Sequence, residues 1–556
     1  MVRRFFERIG VPIRGLHQAA YWLAALTLAS QALALLRDRT FADSFGAGQT
    51  LDLYYAAFRV PDLVFALVSS LVSAYVLIPR ITKAPAESVR RLLSQSASFL
   101  LIVGGVICVV LAVFMRAFLS FLYPDLIVSG HVDEFVLLAR LLLIQPILLG
   151  LSGVLASVTQ VHRRFLLFAL SPVLYNFGII FGTIVLYPAW GLPGIGAGVI
   201  LGALAYVAVN VPVVVRARVV PRLVFPSWRT MLPIVLDSVP RSLALGMGSI
   251  TALVLTSIAS RLGTGAISVS TLAGNLEAVP LALIGSSYAV AAFPALSEAL
   301  AKDKRQEFSR ILSASSRHII LWSIVSLGLI LVLRAHLVRV VLGTGAFDWD
   351  ATRLTAALLA ILAVGLVAQG LVLLFSRGLY AAHQSWRPLI YQLAGGALTV
   401  GLALGLLALP RAGLPAALAA LLRVGDVPGS AILLVALAAS LGQIALAILS
   451  LVALSRIAPG LATSLARPLV HGALAATLAG AAAYGVLAVE GDIAPLTTLV
   501  AVATQGFIAG IAGLAAAGLT LWLLGNEEFR DICAALTRLA GARAVLAPSA
   551  DEPVRP

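Results

Sequence analysis

The sequence predicts an all-α polytopic membrane protein with about fourteen transmembrane helices. Three observations carry this. Of 556 residues, 60% are hydrophobic and only 11% charged, where soluble domains carry roughly 25% charged residues. The mean hydropathy is +1.02. Apolar runs long enough to span a bilayer, separated by Gly, Pro or charge, recur along the whole chain.

In order, these runs fall near residues 19–36, 53–79, 97–119, 135–158, 165–187 and 193–215, then 231–260, 268–295, 318–335, 352–376, 388–409 and 429–455. Two more follow near 468–488 and 496–524. The start, MVRRFFERIGVPIRGLHQ, is basic like a signal peptide, but the apolar run from Ala19 to Leu36 is long and reads as a retained first span. Cys108 lies inside a span and Cys533 in the tail, so no disulfide framework or thiolate metal site is expected.

Lys and Arg divide steeply between alternate loops. One side holds Arg3, Arg4, Arg8 and Arg14, then Arg80, Lys83, Arg90 and Arg91, and Arg163, Arg164, Arg216, Arg218, Arg222 and Arg229. It continues through Lys302, Lys304, Arg305, Arg310, Arg317, Arg377, Arg387, Arg456 and Arg467 into the tail, for a total of about 27 against about 9 on the other side. Both termini are therefore expected in the cytoplasm. The formal charge of +15 reads as loops facing anionic lipid, not nucleic acid, because no basic run is interleaved with stacking aromatics.

An internal repeat sets the domain plan. LVSSLVSAYVLIPRITKAPAESVRRLLSQSASFLL, from Leu67 to Leu101, is echoed by LIGSSYAVAAFPALSEALAKDKRQEFSRILSASSRHIIL, from Leu283 to Leu321. Pro79 answers Pro294, and both copies put their basic loop on the same side. This predicts two parallel six-helix lobes, 1–222 and 223–458, with a binding site at their seam. An extra helix pair, 459–524, and a cytoplasmic tail, 525–556, complete the plan. The tail from Asn526 to Leu546 has helical apolar spacing and is expected on the membrane surface.

The chemistry concentrates in SQALALLRDRTFADSFGAGQTLDLYYAAFRVP, Ser30 to Pro61. A charge at bilayer depth costs about 2.5–3.5 kcal/mol even on the lenient insertion scale, so it needs a partner, a wet cavity or a function. Arg37 follows Ser30 on one helix face, and Asp52, Arg59 and Asp62 share another. Gly46 and Gly48 end the first helix and, with Pro61, are hinge candidates. Further in, Arg241 and Glu277 sit inside spans. Two readings compete: ion pairs within the bundle, such as Arg37 with Asp38 or Arg59 with Asp62, or a site for a phosphate-bearing substrate. No Walker A motif or HExxH occurs, and Gly194-Ile195-Gly196 reads as helix packing. No metal, cofactor or catalytic residue is expected, and the chain reads as a transporter, not an enzyme.

FGAG followed by Asp52 and AAFRVP, the SxxxxxxRD of Ser30 to Asp38, and the later GLYAAHQSWRP resemble the MurJ (MviN) family of lipid II flippases in the MOP exporter superfamily. The resemblance implies two six-helix lobes around a central cationic cavity, and a last helix pair that forms a groove for a lipid tail. It implies a multi-pass protein of the cytoplasmic membrane, acting as a monomer. That protein would move undecaprenyl-pyrophosphate-linked peptidoglycan precursor by alternating access, driven by a coupling monovalent cation or the membrane potential. Substrate contacts are then expected from Ser30, Arg37, Asp52, Arg59, Arg241 and Asn275, with Asp38, Asp62 and Glu277 as structural or coupling charges. The chain departs from the family pattern at Gln31, Phe65, Ser70-Leu71 and Gly274-Asn275, where basic or acidic residues are usual. Two alternatives therefore stand beside it: an exporter of another lipid-linked oligosaccharide or small molecule, and a non-transporting membrane scaffold.

Overall fold

The structure is a computed structural model that describes residues 16–534 and 537, apart from 83, 128–129, 163, 411–412 and 492–497. The N-terminal arginines, Lys83, Arg163, Asp492 and the tail from 538 onward lie outside the described residues. A hairpin of α1 (Leu16–Phe45) and α2 (Gln49–Leu67) opens the described chain. It is followed by α3 (Ala74–Ile81), α4 (Ala86–Phe99), α5 (Gly105–Leu122), α6 (Val132–Leu142), α7 (Ile144–Val161), α8 (Phe165–Phe181) and α9 (Leu192–Arg216). Then come α10 (Trp228–Ser260), α11 (Ala266–Pro280), α12 (Ser287–Ala301), α13 (Arg305–Leu342) and α14 (Trp349–Ala381). Last are α15 (Trp386–Leu407), α16 (Ile432–Ser455), α17 (Ala466–Gly491) and α18 (Leu499–Leu523); shorter helical turns carry no number. No strand occurs among the described residues, as expected where a backbone in lipid must satisfy its own hydrogen bonds.

Thirteen helical stretches of the described chain are long and apolar enough to cross a membrane. The predicted first span corresponds to α1, a 30-residue helix outside those thirteen. By internal contact the chain divides into two compact units. The first comprises Met1–Val279, Val338–Gly365 and Ala382–Leu449; the second comprises Pro280–Leu337, Leu366–Ala381 and Ser450–Pro556.

Within the first unit α8 packs on α1 and α9, and α10 packs on α2 and α15. The α8–α9 contact is a glycine zipper. A Cβ on Gly178 would come 2.5 Å from Gly202 Cα, and one on Gly182 would come 2.7 Å from Gly198 Cα. Spaced four apart, these glycines let two backbones meet where no side chain fits. The GxG at Gly194-Ile195-Gly196 belongs to this packing, since a Cβ at Gly194 would sit 2.5 Å from the Leu186 carbonyl oxygen.

In the second unit Ala475, Ala479 and Ala483, also spaced four apart, are fully buried with Ala509, Ala517 and Leu521. Here α17 packs closely on α18, and α13 lends Leu321, Val325 and Leu333 to the same core. Of the tail expected on the membrane surface, Asn526 to Leu546, only residues 526–534 and 537 are described. Asn526 and Glu528 are buried; Glu528 pairs with Arg317 at 3.0 Å, and Phe529 packs against the α13–α17–α18 core.

Both repeat copies interrupt their helix. The first tightens to a 3-10 turn at Ser69–Val72, and the second widens to π geometry at Leu281–Ser286. In the register that matches Pro79 with Pro294 the two interruptions overlap.

The zipper gives a direct test. Gly202→Val should lower stability by about 1–3 kcal/mol, the usual range for overpacking, read as a lower thermal unfolding midpoint in detergent. Gly153→Ala, where a Cβ meets nothing within 4 Å, should leave the midpoint unchanged or raise it. Equal midpoints for Gly202→Val and wild type would remove the zipper as a stabilising contact.

Candidate functional site

The sequence ends α1 at Phe45 by placing Gly46 at φ +60, where its N–H closes the helix on Ala42 O at 3.0 Å. A β-carbon on Gly46 would collide with the Ala346 carbonyl oxygen, so the position excludes side chains on two counts. Gly48 then precedes α2 without any side-chain cap. Asp52, one turn into α2, is 1% exposed.

The Asp52 carboxylate serves another helix. Its Oδ2 accepts from Gly265 N at 2.6 Å, and its Oδ1 accepts from Ser268 N at 2.7 Å and Ser268 Oγ at 2.5 Å. Gly265 and Ser268 open α11, so Asp52 caps that helix in trans, with its negative charge at the positive end of the helix dipole. Gly265 itself sits at φ +87, and a Cβ there would collide with the Ala47 carbonyl oxygen. The two glycine turns are therefore interlocked. A cavity of about 200 Å³ beside them is lined by Ala47, Gly265, Asp348 and Asp350 among others, with no basic residue.

The charges of α1 each take a different partner. Arg37 Nε and Nη2 both donate to Asp38 Oδ1, at 3.0 and 2.7 Å, and its Nη1 donates to Asn176 Oδ1 at 3.1 Å. The other oxygen of Asp38 accepts from Asn275 Nδ2 at 3.0 Å. Asn176 is held in turn by Pro172 O at 3.0 Å, and the Arg37 guanidinium lies 6.0 Å from the Phe41 ring centroid. A partly buried, net-neutral cluster thus ties α1, α8 and α11. Arg39 Nη1 donates to Val340 O at 2.6 Å, placing a cation at the negative C-terminal end of α13. Asp43 takes Thr344 Oγ1 at 2.8 Å, and its carbonyl takes Ala346 N at 3.0 Å.

Of the other expected residues, Arg59 donates its Nε to Thr256 Oγ1 at 2.8 Å and forms no ion pair with Asp62 among the described residues. Arg241 lies 3.5 Å from Ser73 Oγ, beside a 2.6 Å bond from Ser70 to Ser242. Glu277 is buried on α11, two residues after Asn275. Ser30 is half-buried on α1 and joins none of the bonds of the Arg37 cluster. Pro61 lies inside α2, which continues to Leu67; the helix is interrupted only at Ser69–Val72. The structure thus gathers Arg37, Asp38 and Asn275 at one point, Gly46, Gly48 and Asp52 at a second, and Arg241 with the Ser69–Ser73 break at a third. Sequence reasoning missed Asn176, Thr256, Gly265, Ser268 and Thr344. Only Asn176 carried a signal, an amide inside an apolar run.

Comparison with known proteins gives this arrangement a context. The family model described as lipid II flippase MurJ matches residues 41–490. The lipid II flippase MurJ of Burkholderia cenocepacia is 26% identical over 393 residues, 67% of this chain and 75% of that protein. A probable lipid II flippase MurJ of Thermotoga maritima is 26% identical over 391 residues, 68% of this chain and 76% of its own length. A solved structure of lipid II flippase MurJ in an inward closed conformation superposes with a TM-score of 0.69 at 18% identity, covering 90% of this chain and 99% of that one. An inward-facing MATE multidrug transporter of the MOP superfamily superposes with a TM-score of 0.63 at 16% identity, over 78% of this chain and 96% of its own.

The trans cap is open to measurement. Asp52→Ala leaves the buried N–H groups of Gly265 and Ser268 without their acceptor, at about 1–3 kcal/mol each, so a loss of about 2–5 kcal/mol is expected in reversible unfolding. Ser268→Ala removes one bond and should cost less. If Asp52→Ala unfolds like wild type, the cap does not hold the hairpin.

Proposed function

The chain belongs to the lipid II flippase MurJ family, and from that premise we propose that it carries lipid II, the undecaprenyl-pyrophosphate-linked peptidoglycan precursor, across the cytoplasmic membrane by alternating access. The loop-charge bias puts the basic loops in the cytoplasm, and with them both termini. The interlocked turns at Gly46–Asp52 and Gly265–Ser268 then form the outer closure. Opening it requires Asp52 to release the α11 N-terminus and Asp43 to release Thr344. The lobes 1–222 and 223–458 are the parts proposed to rock, with the monomer as the working unit. The membrane potential, worth about 2.3 kcal/mol per charge per 100 mV, or a monovalent cation would bias the cycle.

The observation that carries the reading is the buried Arg37–Asp38 pair and its two asparagines. A guanidinium that grips a carboxylate through two nitrogens is chemically suited to grip a phosphate in the same way. In this reading the pyrophosphate displaces Asp38 from Arg37. Asn275 still donates to Asp38 after the exchange, which offsets part of the cost of leaving that carboxylate without its cation.

Asn275 also favours a second reading. It is neutral and engaged with Asp38, so this cluster holds less positive charge than the family pattern implies. A lipid-linked oligosaccharide or small molecule with less charge than a pyrophosphate would fit it better.

Both are tested in cells where this chain is the only flippase, by the labelling of lipid II with an impermeant reagent outside. Arg37→Ala should cut labelling at least tenfold, and Arg37→Lys should restore part of it. Unchanged labelling in Arg37→Ala would sink the headgroup role of Arg37. Absence of labelling with the wild-type chain, together with native mass spectrometry showing a different bound lipid, would favour the second reading.

A further inference from the structure

Between α9 and α10 the chain is not helical. Residues 219–227 have no regular secondary structure, and two of their N–H groups are pinned to α4: Arg222 N donates to Ser94 Oγ at 2.9 Å and Val224 N to Ser98 Oγ at 3.0 Å. Ser94 and Ser98 share a helix face, and between these two anchors and just beyond them Leu223 and Phe225 stand exposed. They are 80% and 94% exposed, and Trp228, the first residue of α10, is 64% exposed. Interleaved with them are the exposed Arg216, Arg218, Arg222 and Arg229. No Asp or Glu occurs between Glu134 and Asp237.

Two physical constraints place this strap. Lipid-exposed backbone without regular structure cannot lie in the hydrocarbon core. A Phe, a Leu and a Trp held outward by a pinned backbone are not stable in bulk water. The remaining environment is the headgroup layer, where aromatic rings and arginine stems both partition. The cationic character is concentrated rather than balanced: the Arg164 guanidinium is shifted towards lower pKa by burial and by the like charge of Arg216. Such a cluster favours an anion.

We propose that residues 216–229 form an interfacial strap that binds anionic phospholipid, with Leu223, Phe225 and Trp228 at the acyl boundary and Arg218, Arg222 and Arg229 on headgroup phosphates. The strap joins the end of one predicted lobe to the start of the next. Its lipid contacts therefore tie that connection to the composition of one leaflet.

Tryptophan quenching by lipids brominated high in the acyl chain tests this on the full chain in proteoliposomes. The difference between wild type and Trp228→Phe isolates the emission of Trp228. Brominated phosphatidylglycerol should quench that emission at least twofold more than brominated phosphatidylcholine. The excess should disappear at high salt, and in the combined variant Arg218→Gln, Arg222→Gln, Arg229→Gln. Equal quenching by the two lipids would overturn the anionic preference. No quenching by either would overturn the interfacial placement, as expected if a protein partner covers the strap. The salt series needs only wild type and Trp228→Phe, so the result does not depend on the triple variant folding.

Discussion

A carboxylate buried in a membrane protein must be met by donors, and Asp52 is met by the first turn of a helix more than two hundred residues away. Three short bonds and a favourable dipole make that contact the fastening point between the two glycine turns. The glycines around it follow from the same requirement. Backbone can approach backbone there only because Gly46 and Gly265 adopt left-handed φ values and carry no side chain. Arg39 on the C-terminal carbonyls of α13 is the mirror case, a cation at a negative helix end. Two of the hairpin charges that look misplaced in the sequence, Arg39 and Asp52, serve the ends of other helices.

The fold was legible because its signal is local. Apolar runs, their flanking prolines and the alternation of basic loops each belong to a few consecutive residues. The identity of the important charges was legible too, since Arg37, Asp38 and Asp52 stand out against an apolar background. The Arg37–Asp38 pair could be named from the sequence, but the partners of Asp52, Arg39 and Asp43 could not. Gly265, Ser268, Val340 and Thr344 act through backbone groups or a hydroxyl that any loop contains, and no sequence pattern marks which loop will arrive. The ion pair between Arg59 and Asp62 looked natural at helical spacing. Thr256 on α10 took the guanidinium instead, because tertiary neighbours compete with those on the same helix.

Charge balance at Arg37 shapes what the site can hold. With Asp38 in place the pair is neutral and two amides complete its hydrogen bonds. Such a cluster is stable without a ligand, unlike a cavity lined by several uncompensated arginines. Under the proposed headgroup role, a substrate anion would have to outcompete an existing carboxylate, and recognition would be an exchange of partners.

The docked segment after α18 bears on how the protein is made. Arg317 and Glu528 lie 3.0 Å apart, yet the ribosome delivers the second long after the first. Until then the α13 end of the second unit holds an arginine without its counter-ion, and Trp322 lacks Phe529. Every later span must be inserted before this corner can close. The second unit is therefore finished after synthesis of the membrane-spanning part, not alongside it. A nascent chain stalled just after α18 would hold nearly all its helices and still lack the contact that seals one of its cores.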